Sequence, residues 1–330
     1  MKKYLPLLKA GFCLLSLLAV KIVTAADNPA VEKRKSYNKS YSISGTDKVS
    51  LNNKFGEIIV SGWNKSEIKV EVTIIAKSST DERAQQIIDR IDIEDGKTSG
   101  GIYFKTNMKN DRASGRERKN HKDEKMEINY QVYMPVSNAL TISNEFGATK
   151  IPDMTGVVDI KCKFGTLTVG KLSNLKKLSV EFGSADIESV SNGTVIIKFS
   201  RAIINKLGGS VDAVFEHSSG IKLGVENDTR SLNVTSAFST VYLDTHKDLS
   251  ATFEINTSFG GLSNKTDFDI QESEKTAGKK PNFNHNYSGK AGSGNNAMRI
   301  NSSFSNIMIG HNLTMDLQED TKEKKRSTTI

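Results

Sequence analysis

Residues that could act as acids, bases, metal ligands or nucleophiles occur throughout the chain, but they form no recognised catalytic motif. The five histidines show neither HExxH spacing nor paired-ligand spacing: His121, His217, His246, His285 and His311. Zinc and similar metals need clustered ligands, and no cysteine pair accompanies these histidines. The sequence also contains no Gly-x-Ser-x-Gly elbow, phosphate loop or dinucleotide fingerprint. We therefore expect no metal site, no cofactor and no catalytic residue.

Four carboxylates supply the one enzymatic alternative. Paired carboxylates can cleave glycosidic bonds, and four acidic residues could meet across neighbouring repeats of the chain: Asp186, Glu188, Asp212 and Asp244. No spacing in the sequence singles out a pair among them. A polysaccharide lyase or hydrolase is therefore kept as an alternative to a non-enzymatic protein.

A basic segment at residues 105–125 is the main candidate for ligand binding. It carries eight basic residues against four acidic ones, so it could contact anionic glycans, lipid head groups or nucleic acid by charge alone. The proposed binding residues are Lys109, Arg112, Arg116, Arg118, Lys119 and Lys122. The alternative interpretation is a solvated connection between two strands, because runs of charge usually lie in solvent.

The overall charge argues against a specific nucleic-acid partner. The 330 residues carry a net charge of +8, which falls to +4 without the first 25 residues, because these contain four lysines and no acid. Nucleic-acid-binding domains usually have a strong basic excess on one face. The expected partner is an anionic glycan or another envelope protein.

The first 25 residues have the organisation of a signal peptide. Lys2 and Lys3 precede an apolar run of 11 residues, Ala10–Val20, and small residues follow at the expected cleavage site, Val23-Thr24-Ala25. A membrane-spanning helix needs roughly 20 apolar residues, and no such stretch occurs later. The sequence predicts cleavage after Ala25, export to the periplasm, outer surface or extracellular space, and no transmembrane segment in the mature chain.

The mature chain would retain a single cysteine. Cys13 lies in the signal peptide, so Cys162 has no intramolecular disulfide partner. Alternation places Cys162 on the same face as Ile160 and Phe164, the expected core face. We expect a buried and unreactive thiol.

One pattern recurs nine times after the signal peptide: a short strand with alternating apolar residues, an aromatic position, a Gly or Ser, and a second short strand. The aromatic positions are Phe55, Phe146, Phe164, Phe182, Phe199, His217, Phe238, Phe259 and Phe304. The residue four positions earlier is aliphatic in every case. Such repeats bury an apolar face together that no single repeat can bury alone.

The inward face must switch at the aromatic position, because apolar residues fall at even offsets before it and at odd offsets after it. We expect the following Gly or Ser to adopt the unusual dihedral angles of a corner. We also expect the aromatic side chains to form a buried inward column, each contributing roughly 2 to 3 kcal/mol. On that expectation Phe182→Ala would cost about 3 to 5 kcal/mol.

The residue before the aromatic position indicates how the repeats stack. The first six alternate in sign: Lys54, Glu145, Lys163, Glu181, Lys198 and Glu216. In parallel strands about 4.8 Å apart, each charge would have opposite neighbours. Exposed pairs contribute only about 0.2 to 1 kcal/mol each, so the row would select register. Lys163 should then lie beside both Glu145 and Glu181.

The predicted fold is all-β, a single-chain β-solenoid of about nine coils with a small α+β N-terminal cap. A β-sandwich, which also has many short strands, is the alternative. The predicted organisation is a signal peptide (1–25), a polar linker (26–44), a first coil with the α+β cap (45–135), solenoid repeats (136–310) with a loop at 271–299, and a charged tail (311–330). One helix is expected at Asp81–Arg90, capped by Ser79-Thr80-Asp81.

Two strings and the Phe-Gly repeats that follow them carry a family resemblance. The strings are Asn53–Trp63 (NKFGEIIVSGW) and Ile128–Pro135 (INYQVYMP). In this order they resemble the exported putative-adhesin family of β-strand repeat proteins common in Bacteroidetes, over about residues 45–310. The resemblance implies a right-handed β-solenoid, a cell-envelope or surface location and an adhesin-like role without defined catalytic residues. Ser in place of Gly in the later repeats departs from the family pattern.

These observations predict a non-enzymatic exported protein that acts as an envelope scaffold or an adhesin-like binding surface. Side chains repeated along a flat sheet would give many weak contacts and bind by avidity. Besides the lyase or hydrolase, the remaining alternative is a sensory or regulatory envelope protein that binds a membrane partner.

Overall fold

The computed structural model describes residues 31–109, 124–273 and 283–315. The predicted signal peptide, most of the basic segment and most of the charged tail lie outside these residues. The described residues form an all-β fold, as predicted, with one helix, α1 (Asp81–Asp89), between β4 and β5. The strands are β1 (Val31–Ser42), β2 (Lys48–Lys54), β3 (Ile58–Gly62), β4 (Glu67–Ser78), β5 (Ile91–Thr98), β6 (Gly101–Met108), β7 (Lys125–Met134), β8 (Ala139–Glu145), β9 (Thr149–Ile151), β10 (Met154–Lys163), β11 (Thr166–Glu181), β12 (Ser184–Lys198), β13 (Arg201–Glu216), β14 (Ile221–Ala237), β15 (Thr240–Thr245), β16 (Ala251–Ser258), β17 (Gly261–Asn264), β18 (Asp269–Glu272), β19 (Asn284–Ala291), β20 (Asn296–Ser303) and β21 (Asn306–Gly310).

Parallel pairing stacks the repeats that the sequence pattern identifies. The strands that end at an aromatic position pair in the order β2, β8, β10, β11, β12, β13 and β14. Strands β11 to β14 each run from one aromatic position to the next. The nine aliphatic residues four positions before the aromatic are strand partners in one buried column: Leu51, Ile142, Ile160, Leu178, Val195, Ala213, Val234, Ile300 and Ile255.

A second buried column lies on the other side of each aromatic position. It is formed by the residues five positions after the ring, or six after His217, where the repeat is one residue longer. Its buried members include Ile151, Val169, Ile187, Ile204, Leu223, Leu243 and Ile309. The switch from even to odd offsets is therefore confirmed. Both columns belong to one hydrophobic core that runs the length of the stack.

The last repeats are not stacked in chain order. Strand β20 pairs with both β14 and β16, and β21 pairs with both β15 and β17. The repeat of Phe304 therefore lies between those of Phe238 and Phe259. The prediction of a loop at 271–299 is wrong for β19 and for the start of β20, which are strands. Strand β19 runs antiparallel to β16 and β18. Strand β19 is rich in Asn, Gly and Ser, so it lacks the apolar alternation that would have identified it.

Helix α1 and the strands β3 to β7 lie at the N-terminal end of the stack. Strand β7 pairs in parallel with β3 and antiparallel with β4, while β6 pairs in parallel with β2. The Thr80 hydroxyl accepts a hydrogen bond from the Arg83 N–H and caps α1, whose buried residues are Ala84 and Ile88.

No helix in the described part of the chain is long and apolar enough to cross a membrane.

The expected polar linker is wrong for residues 31–42, which form β1 and pair antiparallel with β4 along its whole length. The cause is a pair of tyrosines within a polar sequence. The hydroxyls of Tyr37 and Tyr41 donate to the two carboxylate oxygens of Asp95 on β5, which attaches β1 to the cap.

Alkaline pH should destabilise this end of the fold. Hydrogen bonding to Asp95 raises the pKa of Tyr41 to about 12, and burial raises the pKa of Tyr130 to about 12. Unfolded tyrosine ionises near pH 10, so the unfolded chain releases protons that the folded chain retains. The stability present below about pH 10 is therefore lost progressively as the pH rises toward 12. Thermal melts should show a Tm that falls above about pH 10, and Tyr41→Phe should reduce that fall; a constant wild-type Tm would contradict this expectation.

Candidate functional site

Every aromatic position adopts the left-handed backbone conformation. The φ angle lies between 48° and 62° at all nine positions, from Phe55 to Phe304, and the Gly or Ser that follows has no positive φ. The expectation that the small residue takes the corner dihedrals is therefore wrong. The left-handed region costs residues with a side chain roughly 1 to 2 kcal/mol, so nine occurrences at one position of the repeat indicate a strong constraint.

Ten rings stack face to face in a single row, the aromatic ladder. Its members in spatial order are Phe55, Phe146, Phe164, Phe182, Phe199, His217, Phe238, Phe304, Phe259 and Phe283. Neighbouring centroids are 4.8 to 5.2 Å apart, and the ring planes differ by at most 7° except for 16° between Phe259 and Phe283. At the spacing of β-strands, ten rings form a ladder on the order of 40 Å long. Phe283 stands outside the repeat pattern, so that pattern does not identify it.

The ladder lies on the surface, so the predicted inward column is wrong. Eight of its phenylalanines are 43 to 54% exposed, with Phe182 at 43%. Side-chain alternation holds only while the backbone stays extended. The left-handed residue interrupts it, and the ring at that residue turns outward while the aliphatic residues on either side remain inside.

Close approach of neighbouring backbones explains the glycine after the ring. A Cβ on Gly165 would lie 2.0 Å from the carbonyl oxygen of Gly147, and a Cβ on Gly183 would lie 1.9 Å from that of Gly165. Both distances are far shorter than a van der Waals contact. Glycine is therefore needed here for space between repeats.

Serine replaces glycine in the later repeats and adds hydrogen bonds between them. The Gly183 N–H donates to Ser200 Oγ at 2.9 Å, and the Ser239 N–H donates to Ser305 Oγ at 3.0 Å. Each of these serine hydroxyls donates in turn to the carbonyl two residues earlier. The change from Gly to Ser therefore keeps the corner backbone groups paired, and the ladder continues through it.

The charged row flanks the ladder in the predicted register. Lys163 is the strand partner of both Glu145 and Glu181, which confirms the expectation. Ion pairs join neighbouring members of the row: Lys54 with Glu145 (3.0 Å), Lys163 with Glu181, and Lys198 with Glu216 (2.8 Å). These side chains are partly exposed, so each pair contributes little to stability.

The ladder presents more apolar surface than a monomer usually exposes. With about half of each ring exposed at eight positions, the apolar area is on the order of 800 Å². The largest apolar patch on a typical monomeric protein is about 300 to 600 Å². A surface of this size usually marks an interaction site.

Polar groups accompany the ladder on both of its sides. A shallow depression of about 540 Å³ lies near its middle, lined by residues that include Phe182, Ser184, Phe199, Arg201 and His217. A second depression of about 440 Å³ near the C-terminal rings is lined by Asn, Ser and Thr side chains. Hydrogen-bonding groups are thus available beside the apolar rings.

One of the six predicted binding residues falls within the described part of the chain. Lys109 is exposed directly after β6, and its N–H donates to the Arg90 carbonyl at 3.0 Å. The other five lie outside the described residues: Arg112, Arg116, Arg118, Lys119 and Lys122. Near the end of β6 the Thr106 hydroxyl donates to Asn53 Oδ1 at 2.9 Å. Strand β6, which leads into the basic segment, pairs in parallel with β2, the strand that precedes Phe55.

The carboxylates considered for glycan cleavage are not strand partners of one another in neighbouring repeats. Asp186 pairs with Thr168 and Ile203. Asp212 Oδ1 accepts a hydrogen bond from Asn233 Nδ2 at 2.8 Å, and Asp244 Oδ2 forms an ion pair with Lys222 Nζ at 2.7 Å. Within the described ranges, no group of three His, Cys, Asp or Glu could hold a metal ion. Cys162 is buried, as predicted, and burial raises the pKa of its thiol, which disfavours the reactive thiolate.

Comparison with known proteins gives similarity of structure at low sequence identity. No protein-family model matches the chain, and no curated protein matches it in sequence. A “putative cell adhesion protein” from Clostridium sporogenes has a TM-score of 0.26 and 14% identity, covering 84% of this chain and 99% of that one. A “putative adhesin” from Bacteroides fragilis has a TM-score of 0.36 and 11% identity (84% and 97% covered). A “putative lipid binding protein” from Parabacteroides distasonis has a TM-score of 0.35 and 11% identity (83% and 96% covered). At these TM-scores, the function has to be inferred from the residues of the chain itself.

Substitution of one ring should cost far less stability than substitution of a core phenylalanine. Phe182 is 43% exposed whereas Phe215 is fully buried. Asn tolerates the left-handed conformation, so Phe182→Asn loses stacking but relieves backbone strain of similar size, and it should cost less than about 1 kcal/mol. Phe215→Ala should cost about 3 to 5 kcal/mol. Reversible denaturant unfolding of the two variants tests this expectation. Equal losses of unfolding free energy would indicate that Phe182 is buried in the core.

The glycine after the ring should not tolerate a methyl group. Gly165→Ala places a Cβ 2.0 Å from the carbonyl oxygen of Gly147 in the preceding repeat, so the expected loss is about 2 kcal/mol or more. Gly45→Ala is the matched control, because a Cβ there would have no neighbour within 4 Å. Thermal melts of both variants give the comparison, and a Gly165→Ala variant as stable as the control would contradict the close approach.

Proposed function

We propose that the chain is a non-enzymatic, exported, adhesin-like protein of the cell envelope that binds through the aromatic ladder. The observation that carries the proposal is the row of ten stacked rings, of which eight phenylalanines are 43 to 54% exposed. The repeats would wind as a β-solenoid, because β11 to β14 each run from one ring to the next with parallel partners on both sides.

Stability alone gives no reason to place phenylalanine at these corners. The left-handed backbone costs roughly 1 to 2 kcal/mol per residue, and a stacked aromatic pair returns about 0.5 to 1.5 kcal/mol. These terms nearly cancel, while Gly or Asn would take the same conformation with little strain. Retention of strained, exposed aromatic residues therefore favours a role in binding.

The mechanism would be multivalent. Each repeat offers the same weak apolar contact at the spacing of β-strands, and a partner that engages several repeats at once gains avidity without a deep pocket. The shallow depressions beside the ladder fit this mode, because they add polar contacts along its length.

The basic segment would add a second contact based on charge. Lys109, Arg112, Arg116, Arg118, Lys119 and Lys122 would attract anionic glycans. Strand β6 leads into this segment and pairs in parallel with β2, the strand before Phe55, which favours joint use with the ladder. An enzymatic role is less favoured, because the candidate carboxylates Asp186, Asp212 and Asp244 have separate partners.

Binding of residues 26–330 to glycan arrays and to intact bacterial cells tests the proposal. The triple variant Phe164→Asn, Phe182→Asn, Phe199→Asn should lose about tenfold or more in affinity, because three adjacent rings are removed. The matched control replaces the outward residues three positions earlier in the same repeats, Lys161→Asn, Ser179→Asn and Ile196→Asn, and should bind normally.

The remaining outcomes separate the alternatives. Normal binding by the triple ring variant would show that the ladder is not the binding surface. Replacement of Arg112, Arg116 and Arg118 by Gln should weaken only salt-sensitive binding to anionic glycans. Release of new sugar ends from any glycan would overturn the non-enzymatic assignment, and capture of an envelope protein without glycan or cell binding would favour the sensory or regulatory alternative.

A further inference from the structure

Stacking determines which part of each ring a partner can reach. Between Phe55 and Phe259 both faces of every internal ring are covered by neighbours at 4.8 to 5.2 Å. A sugar ring that needs an open aromatic face finds none along this length. What remains is a straight ridge of ring edges, and such a surface suits apolar packing against another protein.

The charges beside the ridge have a property that depends on direction. Along the ladder they run positive, negative, positive, negative, positive, negative, from Lys54 to Glu216. Because each charge precedes its ring in the chain, all six lie on the same side of the ladder. When this row is reversed end to end, every positive position falls on a negative one.

A second copy of the chain therefore fits this surface when it faces the first copy in the opposite direction. With a twofold axis across the ladder between Phe164 and Phe182, both charged rows lie on the same side and meet. The facing pairs are Lys54 with the partner's Glu216, Glu145 with the partner's Lys198, and Lys163 with the partner's Glu181, each occurring twice. An axis through a ring would face like charges, such as Lys163 against the partner's Lys163, which is unfavourable.

Spacing and area also agree with a second copy as the occupant. A copy has the same repeat distance as the ladder itself, so its ridge stays in step over all the rings that overlap. The six rings from Phe55 to His217 expose on the order of 500 Å², and the flanking charged row brings this toward the roughly 800 Å² that each partner gives to a standard interface. The rings from Phe238 to Phe283 extend beyond this overlap.

We propose that two copies of the chain associate ladder to ladder in an antiparallel, twofold-symmetric dimer centred between Phe164 and Phe182. This rests on the proposed role of the ladder as a binding surface and names its partner. The dimer covers the central rings that the triple ring variant removes, so a ligand that uses these rings competes with the second copy, while the C-terminal rings stay open to it.

Complementary charge reversal tests the dimer. Lys163→Glu places Glu against the partner's Glu181 at two sites, and Glu181→Lys places Lys against the partner's Lys163. Sedimentation equilibrium of residues 26–330 should show a wild-type dimer, and each variant alone should have a dissociation constant raised by about tenfold or more. An equimolar mixture of the two variants should restore the dimer, because every facing pair is then opposite in charge.

Rescue by mixing separates contacts between copies from effects within one copy. Each variant also breaks the Lys163–Glu181 ion pair inside the chain, and mixing cannot repair that defect. Lys176→Glu is the control, since it breaks an equivalent pair with Asp159 away from the ladder and should leave the dimer unchanged.

The dimer and the proposed function can fail separately. A wild-type chain that is monomeric at its highest soluble concentration, or variants that mixing does not rescue, would overturn the dimer. If the triple ring variant still lost binding to cells or glycans, the role of the ladder in adhesion would stand. If the dimer forms as proposed but the chain binds neither cells nor glycans, self-association would stand and the adhesin-like role would be overturned.

Discussion

The in-register parallel pairing of neighbouring repeats is the constraint on which the rest of the structure depends. The strand spacing of about 4.8 Å is also a favourable centroid distance for stacked rings. One register therefore stacks the rings, places Lys163 beside Glu145 and Glu181, and continues both aliphatic columns. A slip of one residue would turn the columns outward. Ring stacking and ion pairing each contribute little free energy per repeat, but they favour the same register as the aliphatic columns.

The N-terminal end of the stack differs from its middle because the cap, and not another repeat, lies beside it. Two positions before the ring, the middle repeats bury Val180, Ile197 and Phe215. The first repeat has Asn53 there, and its side-chain amide donates to the carbonyl of Ile128 in the cap at 2.8 Å. The next has Asn144, which donates to backbone carbonyls of Gly56 and Ala148 at 3.1 Å. A buried amide at these places satisfies carbonyls that another repeat would otherwise pair.

The sequence was sufficient to predict the repeat, its register and the helix, but not the direction of the rings. Spacing and alternating charge are local signals that the strands preserve, so Lys163 and α1 lie where they were expected. Periodicity assumes extended backbone on both sides of a residue, and the left-handed φ of 57° at Phe182 removes that assumption. The order of the last repeats depends on pairing between strands far apart in the chain, which no local pattern records. Likewise β1 has too few apolar residues to be recognised without its partner β4.

The treatment of the sheet edges gives a further reason to regard the exposed ladder as functional. A β-protein with open edges tends to pair with other chains, and natural proteins block this with charge, short strands or covering segments. Strand β1 carries Lys33, Arg34, Lys35 and Lys39, while β17 at another edge has only four residues. Strand β19 covers β16 in the antiparallel direction. The chain protects its edges in these ways, yet it leaves eight phenylalanines about half exposed in a single row. The fold therefore has ways to cover exposed surface that it does not use for these rings. An open ladder in such a chain agrees with the proposed binding role, in which the charged row beside it would limit the contacts that can form.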